Sequence, residues 1–421
     1  MLYLLIFCKG VNVCRNEEGI IIVIIVLCIS LLLALGVREQ IKQKKNVAKI
    51  PIRVNVNGIR GKSTVTRMIT AVITEAGYKT IGKTTGTAAR MIYWFDEEEE
   101  IIKRKPQGAN ISEQLRVIDK AAKLDAEALV CECMAVNPEY QEVFQCKMLQ
   151  ATIGVIVNVL EDHMDVMGPT LDQVAQAFTT TIPYNGYLVT VDGMYTEYFK
   201  RIAKERNTKV IVADNSKISE DFLSKFDYMV FPENVSLALA VGEALGIDKE
   251  ICLRGMLNAH PDPGAMRITS IGGDSLNSYF VNGFAANDPQ STLKIWERVL
   301  EMEYDSQNPI VVMNCRPDRV DRTKQFADDV LPHMQIGTLI SIGGITEPIT
   351  TAFNNGKLSN VSTYLDLENA STSEIMEKIY PLLQDTLVYG IGNIHGSGEP
   401  FIESLLELDK EIIESEELLA N

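Results

Sequence analysis

The sequence is poor in the residues that most often carry metal or nucleophilic chemistry. It has four histidines and two tryptophans, and its eight cysteines include no Cys-x-x-Cys pair. The usual spacing of a metal clip is therefore absent, and scattered cysteines favour a reducing compartment. No Ser-His-Asp or Cys-His arrangement stands out either. We expect structural thiols and no hydrolase built on a nucleophilic serine or cysteine.

The sequence also lacks an excess of basic residues. It has 40 Lys and Arg against 56 Asp and Glu, a formal charge of −16. This balance argues against general nucleic-acid binding, although a small basic pocket for an anionic substrate remains compatible with it. A length of 421 residues is enough for two or three domains with proper cores.

One long apolar run stands near the N-terminus. Residues 20–37 carry no charge and as a helix would span about 27 Å, close to the thickness of a bilayer core. Basic residues follow the run, so the positive-inside rule places the C-terminal bulk in the cytoplasm. The alternatives are a cleaved signal peptide and a buried core helix, but no small-residue cleavage site follows. We expect a single-pass anchor in the cell membrane, preceded by residues 1–19 of unassigned status and followed by a basic linker over residues 38–50.

The stretch VNVNGIRGKSTVTR, residues 54–67, has the order of a phosphate-binding loop. A β-branched run ends before Gly58, and Arg60 lies in the short loop before Gly61-Lys62-Ser63-Thr64 and a helical pattern. Backbone N–H groups at the helix start would face phosphate oxygens, Lys62 would reach the β/γ-phosphates, and Ser63 would bind Mg²⁺. The general pattern asks for a glycine at Val56, so a chance match is the alternative.

From Pro51 onward, predicted strands and helices alternate, which indicates a doubly wound α/β architecture. The segment AHPDPGAM, residues 259–266, is typical of a domain junction. We therefore expect a nucleotide-binding domain over residues 51–268 and a smaller, Rossmann-like α/β domain over residues 269–421.

Three further residues are candidates for the nucleotide site. Glu132 ends the buried-looking run ALVCE, and carboxyl ends of parallel strands face the ligand crevice. His163 follows another strand in NVLEDHMD; taken alone, it is more readily a structural histidine than a ligand, and Mg²⁺ prefers oxygen ligands. Thr85 lies in the turn KTTGT, which could close over phosphate or metal or be a plain turn.

The motifs GIRGKST, NVLEDHMD, PENVSLALAVGEALGI and PGAMR, with Glu132 among them, occur in an order that resembles the Mur ligase superfamily, which includes the folylpolyglutamate synthases. Those enzymes use the shortened G-x-x-G-K-[ST]-T loop. With the anchor and NCRPDRVDRT, the sequence is most similar to the membrane-associated poly-γ-glutamate synthase branch. The resemblance implies a P-loop ATPase domain and a C-terminal ligase domain after one transmembrane helix.

The resemblance also implies roles for individual residues. Triphosphate binding falls to Gly58, Gly61, Lys62, Ser63 and Thr64. Ser63, Glu132 and His163 match Mg²⁺-linked positions, Asn234 in PENV matches the residue that reads adenine, and Arg267 matches an arginine that reaches the phosphates. Asn314, Arg316 and Asp318 match a loop that faces the acceptor site.

Two departures from the superfamily pattern stand out. The stretch that often holds a carbamylated lysine reads AQAFTTTIP, with Phe178 and Thr179 near that place, so a second metal site built on a lysine is not expected. The motif DYAHNP appears as NGFAANDP, so Asn282 or Gly283 replaces its aspartate.

The leading hypothesis is an ATP- and Mg²⁺-dependent amide ligase that extends poly-γ-glutamate. The polymer carboxylate would become an acyl phosphate, and the amine of the next glutamate would attack it. We expect glutamate, the polymer and integral membrane subunits of an export complex as partners, with no nucleic acid. The alternatives are a folate-type glutamate ligase, which the anchor disfavours, and a tethered ATPase that powers export without forming bonds.

Overall fold

A computed structural model describes residues 17–85, 89–104, 110–262, 265–272, 276–284, 286, 288–302, 304 and 308–420. Residues 1–16 of the predicted N-terminal segment lie outside this set. The chain divides into two compact units. The first contains residues up to Ser219 and Pro232–His260, and the second contains Glu220–Phe231 and everything from Pro261. The segment 220–231, which the sequence placed in the first domain, thus packs with the second.

The first unit begins with a long helix, α1, Glu17–Lys49. Its apolar residues from Ile20 to Val37 are largely exposed, and by length and composition Ile20–Lys49 is the one candidate membrane span in the described part of the chain. The predicted basic linker continues this helix without interruption as far as Lys49. An exposed apolar helix of this length is what a lipid-facing segment requires.

The strands of the first unit are β1 Ile52–Asn57, β2 Thr80–Lys83, β3 Arg90–Tyr93, β4 Asp96–Ile101, β5 Ala128–Glu132, β6 Ile153–Ile156, β7 Tyr187–Val191 and β8 Lys209–Ala213. Its further helices are α2 Lys62–Glu75, α3 Glu113–Lys123, α4 Pro138–Val143 with a π-helical extension Phe144–Leu149, α5 Met164–Met167, α6 Leu171–Phe178, α7 Thr196–Glu205, α9 Pro232–Leu245 and α10 Lys249–Leu257.

The strands form one sheet in the order β4-β3-β2-β5-β1-β6-β7-β8. The six strands from β2 to β8 in that order are parallel, and β3 and β4 add an antiparallel edge. The charged run DEEEEI therefore forms the outer strand of a hairpin with β3. Because β1 lies at the centre, its carboxyl end opens among the ends of β5 and β6, where open α/β sheets bind ligands.

The second unit begins with the short helix α8, Glu220–Leu223, which precedes α9 in the chain. Its strands are β9 Ile268–Ile271, β10 Ser278–Asn282, β11 Ile310–Cys315, β12 Ile336–Gly343, β13 Val361–Glu368 and β14 Leu387–Gly392. Its remaining helices are α11 Pro289–Glu301, α12 Val320–Asp329, α13 Glu347–Asn354, α14 Thr372–Ile379 and α15 Gly398–Ala420.

Its sheet has the order β13-β12-β11-β14-β10-β9, parallel except for the edge strand β9. Helices α11, α12 and α13 supply Trp296, Phe326 and Ile349 to the core on one face. Helices α14 and α15 supply Ile375 and Phe401 to the core on the other. The strands β11 and β14 are neighbours in the sheet, but the helix that follows β11 packs on one face and the helix that follows β14 packs on the other. Their boundary is therefore a topological switch point.

The α/β fold class predicted from the sequence is confirmed, with small differences at element ends. The strand β6 ends at Ile156, after which the chain leaves the sheet and Asn158 lies beside the phosphate loop. In the edge strand β13 only Val361 is buried, so that strand has no continuous apolar run.

Replacing Phe326 with alanine tests the core of the second unit. The side chain is fully buried, so we expect a loss of about 3–5 kcal/mol in the free energy of unfolding. The matched control is Leu300→Ala on the exposed side of α11, which is 43% exposed and should cost less than about 1 kcal/mol. Urea unfolding of the detergent-solubilised chain, followed by Trp296 fluorescence in a Trp94→Phe background, measures both. Equal losses in the two variants would contradict this account of the core.

Candidate functional site

The candidate nucleotide loop joins β1 to α2 through two glycines with positive φ. Gly58 has φ 138° and Gly61 has φ 80°, angles that glycine adopts with little strain. A Cβ on Gly58 would lie 3.0 Å from Val157 Cβ, and one on Gly61 would lie 2.9 Å from Asn234 Oδ1. Both contacts are too close for a larger residue. The loop therefore passes tightly between the chain after β6 and the start of α9.

The first turn of α2 presents free donors at the end of this loop. The first backbone bond of the helix runs from Val65 N to Gly61 O, so the N–H groups of Lys62, Ser63 and Thr64 precede the hydrogen-bonded ladder. The first turn contains no acidic side chain. A helix N-terminus of this kind attracts anions through its N–H groups and its dipole.

Asn158 holds the loop from the other side. Its Oδ1 accepts hydrogen bonds from the backbone N–H groups of Ile59 and Arg60, both at 3.0 Å, and its Nδ2 donates to Arg60 O at 2.9 Å. One side chain thus fixes the middle of the loop. Asn158 was not among the residues expected at this site, although it stands in the same motif, NVLEDHMD, as His163.

Lys62 folds over the loop. Its Nζ donates to the carbonyl oxygens of Gly58 at 2.8 Å and of Ile59 at 2.9 Å. Burial lowers the pKa of Lys62, and the charge of Glu132 opposes that shift. The ammonium group therefore lies in the concave side of the loop, where an anion would face it.

Glu132 connects three elements at the carboxyl edge of the sheet. It is 3% exposed. Its Oε2 accepts hydrogen bonds from Ser63 Oγ at 2.9 Å and from Thr85 N at 2.8 Å, and its Oε1 accepts one from Thr85 Oγ1. The carboxylate is thus satisfied by donors from α2 and from the turn after β2. Gly86 and Thr87 of that turn lie outside the described residues.

His163 lies at the rim of this site. It has φ 51° and caps α5, its backbone N–H donates to Asp162 Oδ1 at 2.8 Å, and its side chain is 52% exposed. Asp162 also forms an ion pair of 3.3 Å with Arg60 of the phosphate loop. The structure therefore links His163 to the loop through Asp162, and its predicted role as a metal ligand stays a prediction.

Across the described ranges, no three His, Cys, Asp or Glu side chains cluster as a metal site. Ser63 and Glu132 are the two predicted metal ligands that the structure brings into contact. The nearby thiols do not offer a nucleophile, because burial raises the pKa of Cys133 to about 11 and that of Cys131 to about 12.

In the second unit, the buried side chain of Asn314 joins the end of β11 to the loop after β14, at the switch point. Its Nδ2 donates to the carbonyl oxygens of Asn393 at 2.6 Å and His395 at 3.0 Å, while Asn314 Oδ1 is buried without a partner. Asn393 Nδ2 returns a hydrogen bond of 3.2 Å to Asn314 O. Asn314 thus shapes the loop that follows β14 and is not itself open to solvent.

Three arginines follow β11 beside that loop. Arg316 makes a two-pronged pair with Asp318, at 2.9 and 2.8 Å. Arg322 donates to Asn393 Oδ1 at 2.6 Å. Burial, followed by the charges of Arg319 and Arg316, lowers the pKa of Arg322. Such crowding of like charges favours an anion nearby.

Arg267 also belongs to the second unit. Its guanidinium group forms an ion pair of 3.2 Å with Asp227, and its side chain is 57% exposed. Its expected contact with nucleotide phosphates stays a prediction.

The architecture and the phosphate loop together define a nucleotide-binding α/β protein of the Mur ligase type. Residues 56–260 match the Mur ligase middle domain family, and residues 268–408 match the family described as the poly-gamma-glutamate synthase CapB C-terminal domain.

Two curated relatives cover nearly the whole chain. The capsule biosynthesis protein CapB of Bacillus anthracis is 63% identical over 93% of this chain and 85% of its own length. The PGA synthase CapB of Bacillus subtilis (strain 168) is 59% identical over 91% of this chain and 98% of its own length. The chain belongs to the CapB family, and it is an ATP-dependent ligase.

Solved structures show the same fold at low identity. MurF from Acinetobacter baumannii matches with a TM-score of 0.59 and 14% identity, covering 90% of this chain and 80% of its own. E. coli FolC in complex with DHPP and ADP matches with a TM-score of 0.56 and 12% identity, covering 87% and 92%. A bifunctional folylpolyglutamate synthase/dihydrofolate synthase from Yersinia pestis, complexed with AMPPNP and a Mn ion, gives 0.57 and 12%, covering 97% and 98%.

Replacing Asn158 with alanine tests the support of the loop. The change removes the shared acceptor of two backbone N–H groups, each bond worth about 1 kcal/mol, so we expect nucleotide affinity to fall about 5- to 30-fold. Titration calorimetry with ADP measures this. Asn158→Asp keeps the acceptor oxygen and should recover part of the affinity. Unchanged affinity in Asn158→Ala would show that the loop holds its shape without this side chain.

Proposed function

We propose that the protein is a membrane-anchored, ADP-forming amide ligase that adds glutamate to poly-γ-glutamate through an acyl phosphate. The observation that carries the proposal is the arrangement of Lys62 and Ser63, at the start of α2, with Glu132, at the end of β5, beside the backbone N–H groups that precede the hydrogen-bonded ladder of α2. The CapB relatives, one of them named a PGA synthase, supply the substrate class.

The site in the first unit has hydrogen-bond donors and an ammonium group that suit a nucleoside triphosphate. The N–H groups of Lys62, Ser63 and Thr64 would donate to phosphate oxygens. A phosphate oxygen carries more negative charge than the carbonyl oxygens that Lys62 now contacts, so the ammonium group would prefer it. Asn234 lies against Gly61, which is consistent with the adenine-reading role that the resemblance assigns to it.

The residues present fit a bound Mg²⁺. Ser63 Oγ and Glu132 Oε2 are hard oxygen donors 2.9 Å apart. Two adjacent ligands of an octahedral ion with bonds of about 2.1 Å lie about 3 Å apart, and Mg²⁺ usually keeps several waters in addition. Ser63 and Glu132 would therefore hold the ion, with His163 as a more distant candidate. Bound there, Mg²⁺ would neutralise charge on the phosphates.

The reaction balances with three reactants: the polymer, ATP and glutamate. A carboxylate oxygen at the end of the polymer attacks the γ-phosphorus, a new O–P bond forms, and ADP leaves with the electrons of the broken bond. The amine of the next glutamate then attacks the acyl carbon, phosphate leaves, and one proton is released. The protein contributes by positioning and by charge stabilisation, as phosphoryl transfer generally requires. In the proposal, Lys62 and the helix N–H groups do this work.

The second unit would contact the acidic substrate. Arg316, Arg319 and Arg322 crowd the carboxyl end of β11, and planar guanidinium groups suit carboxylates. Arg316 is paired with Asp318 in this structure, so a substrate carboxylate would compete with Asp318 for that arginine. Asn314 would act by holding the neighbouring loop.

The apolar helix α1 would place synthesis at the cytoplasmic side of the cell membrane. Its exposed apolar half supports a lipid environment. Synthesis at that surface would favour integral membrane partners that export the polymer.

Membranes carrying the full chain with its export partners test the function directly. Labelled glutamate, ATP and Mg²⁺ are added, and polymer and nucleotide products are measured. We expect ADP, phosphate and γ-linked label, all lost in Lys62→Ala. ATP hydrolysis that needs Lys62 but incorporates no glutamate would instead support an export ATPase, and AMP as product would contradict the acyl phosphate.

The lowered pKa of Lys62 predicts a pH dependence. The ammonium form binds phosphate, and its lowered pKa means that it loses its proton at a lower pH than an ordinary lysine, so ADP affinity should begin to fall below the pH at which an ordinary lysine deprotonates. Lys62→Arg stays charged there and should lack this alkaline limb, even if its affinity is lower throughout. Calorimetric titrations across pH measure both. An identical limb in the two proteins would assign it to another group.

Replacing Arg316 with alanine tests the substrate contact. We expect the KM for glutamate or polymer to rise about 10- to 150-fold, since one charge-assisted contact is worth roughly 1.5–3 kcal/mol, while ADP affinity stays unchanged. Lys357→Ala removes an exposed pair with Asp328 elsewhere in the same unit and serves as the control. An unchanged KM in Arg316→Ala would remove this arginine from the substrate site.

A further inference from the structure

We propose that α1 is a rigid mount that seats one face of the first unit in the lipid headgroup layer. The proposal rests on the membrane anchoring proposed above. The face, here called the mount face, is formed by Asp119 and Lys123 of α3 and by Lys147 and Met148 of the π-helical extension.

The first support is the unbroken helix. From Val37 to Ile50 the sequence contains no glycine or proline, and a single glycine, Gly36, stands at the end of the apolar run between Leu35 and Val37. Sharp kinks arise mainly at proline, at glycine–serine pairs or at π-bulges, and α1 runs through Gly36 to Lys49 as one helix. The apolar half and the basic half of α1 are therefore continuous.

The second support is the joint between α1 and the central strand. Ile50 is fully buried, and only Pro51 separates it from β1. Arg53 Nη1 donates to the carbonyl oxygens of Ile50 and Pro51, and its Nε donates to Leu149 O at 3.1 Å and Gln150 O at 3.0 Å. Burial lowers the pKa of Arg53. One guanidinium group thus clamps the end of α1 to the start of the sheet.

The third support is a set of contacts along the last two turns of α1. Val47 is 4% exposed and joins a core cluster with residues of α3. Asn46 donates to Asp119 at 3.0 Å, Lys42 pairs with Asp119 at 2.6 Å, and Gln43 donates to Met148 O at 2.8 Å. A flexible tether would not bury apolar side chains or order polar ones in this way.

The spacing of these contacts sets the height of the unit. Lys42 lies five residues after Val37, the last residue of the apolar run, or about 7.5 Å along a helix. The headgroup layer is about 5–8 Å thick on each side of the hydrocarbon core. The first contact of the mount face, between Lys42 and Asp119, therefore falls in the outermost part of the headgroup layer, where lipid headgroups would touch it.

The charge of this region suits anionic lipid. Arg38, Lys44, Lys45 and Lys147 are exposed and make no ion pair with any residue that the structure describes. They stand out on a chain with a formal charge of −16. Cations next to a membrane span are attracted to anionic headgroups.

Pulsed electron paramagnetic resonance on the full chain in vesicles of phosphatidylcholine and phosphatidylglycerol tests the mount. Spin labels are placed at the natural Cys28 and at Lys123→Cys, after Cys8, Cys14 and Cys146 are changed to serine; the other cysteines are buried. We expect one narrow distance distribution. Seven helix-forming residues inserted after Arg38 should lengthen the distance by about 10 Å and keep it narrow, whereas seven glycine and serine residues should broaden it.

A second readout measures the height. Lipids that carry chelated nickel on their headgroups should speed the relaxation of the label at position 123, and the helical insertion should remove this effect. A distribution in the unmodified protein as broad as in the glycine–serine variant would overturn the rigid mount. Insensitivity of position 123 to nickel lipid would overturn the headgroup contact.

Flotation of the same vesicles separates the two proposals. If the chain does not float with lipid, the anchor fails and the mount fails with it. If it floats, both spectroscopic readouts are independent of catalysis, so a failure of glutamate incorporation would leave them unaffected.

Discussion

The proposed nucleotide site depends on one buried carboxylate. Glu132 ends β5 and receives hydrogen bonds from Ser63 and from both donors of Thr85. Through these bonds it ties the start of α2 to the turn after β2. A buried charge is costly unless donors surround it. The same donors that make Glu132 tolerable therefore also fix the edge at which a cation and phosphates would be held.

The loop beside this carboxylate is held by side chains from the segment after β6 and from helix α9. Asn158 supports its middle, and Asn234 closes against Gly61. Behind it, Asn55 and Asn57 of β1 donate to Gln145 and Gln141 at 2.9 Å each. A cradle that is formed before ligand binding loses less entropy when phosphate arrives. The apolar strands on either side keep these polar pairs away from water.

The two units divide the chemistry in the proposed function. The first unit carries the phosphate loop, on a sheet whose central strand β1 follows closely after helix α1. The second unit carries a group of arginines at its own switch point. Placing the cations in a local group resolves the apparent conflict between an acidic protein and an acidic substrate. Local charge, and not the net charge of −16, governs what a site attracts.

Local patterns in the sequence determined much of this protein. Three of these patterns are short-range signals: the apolar run, the loop Gly58–Thr64 and the alternation of strands and helices. Each depends on residues only a few positions apart, because the periods of strands and helices and the backbone freedom of glycine are local properties. Glu132 was recognisable because a carboxylate at a strand end is a local feature with a general meaning.

Tertiary structure alone decided which distant residues meet. Asn158 forms hydrogen bonds with loop residues 98 to 99 positions away in the sequence. The buried side chain of Asn314 likewise holds a loop about 80 residues away. The segment Glu220–Phe231 joins the second unit although the chain on both sides of it belongs to the first. The clamp of Arg53 on the end of α1 likewise had no sequence signal. Side-chain hydrogen bonds and core packing between distant segments depend on three-dimensional proximity, which residue spacing along a single chain does not encode.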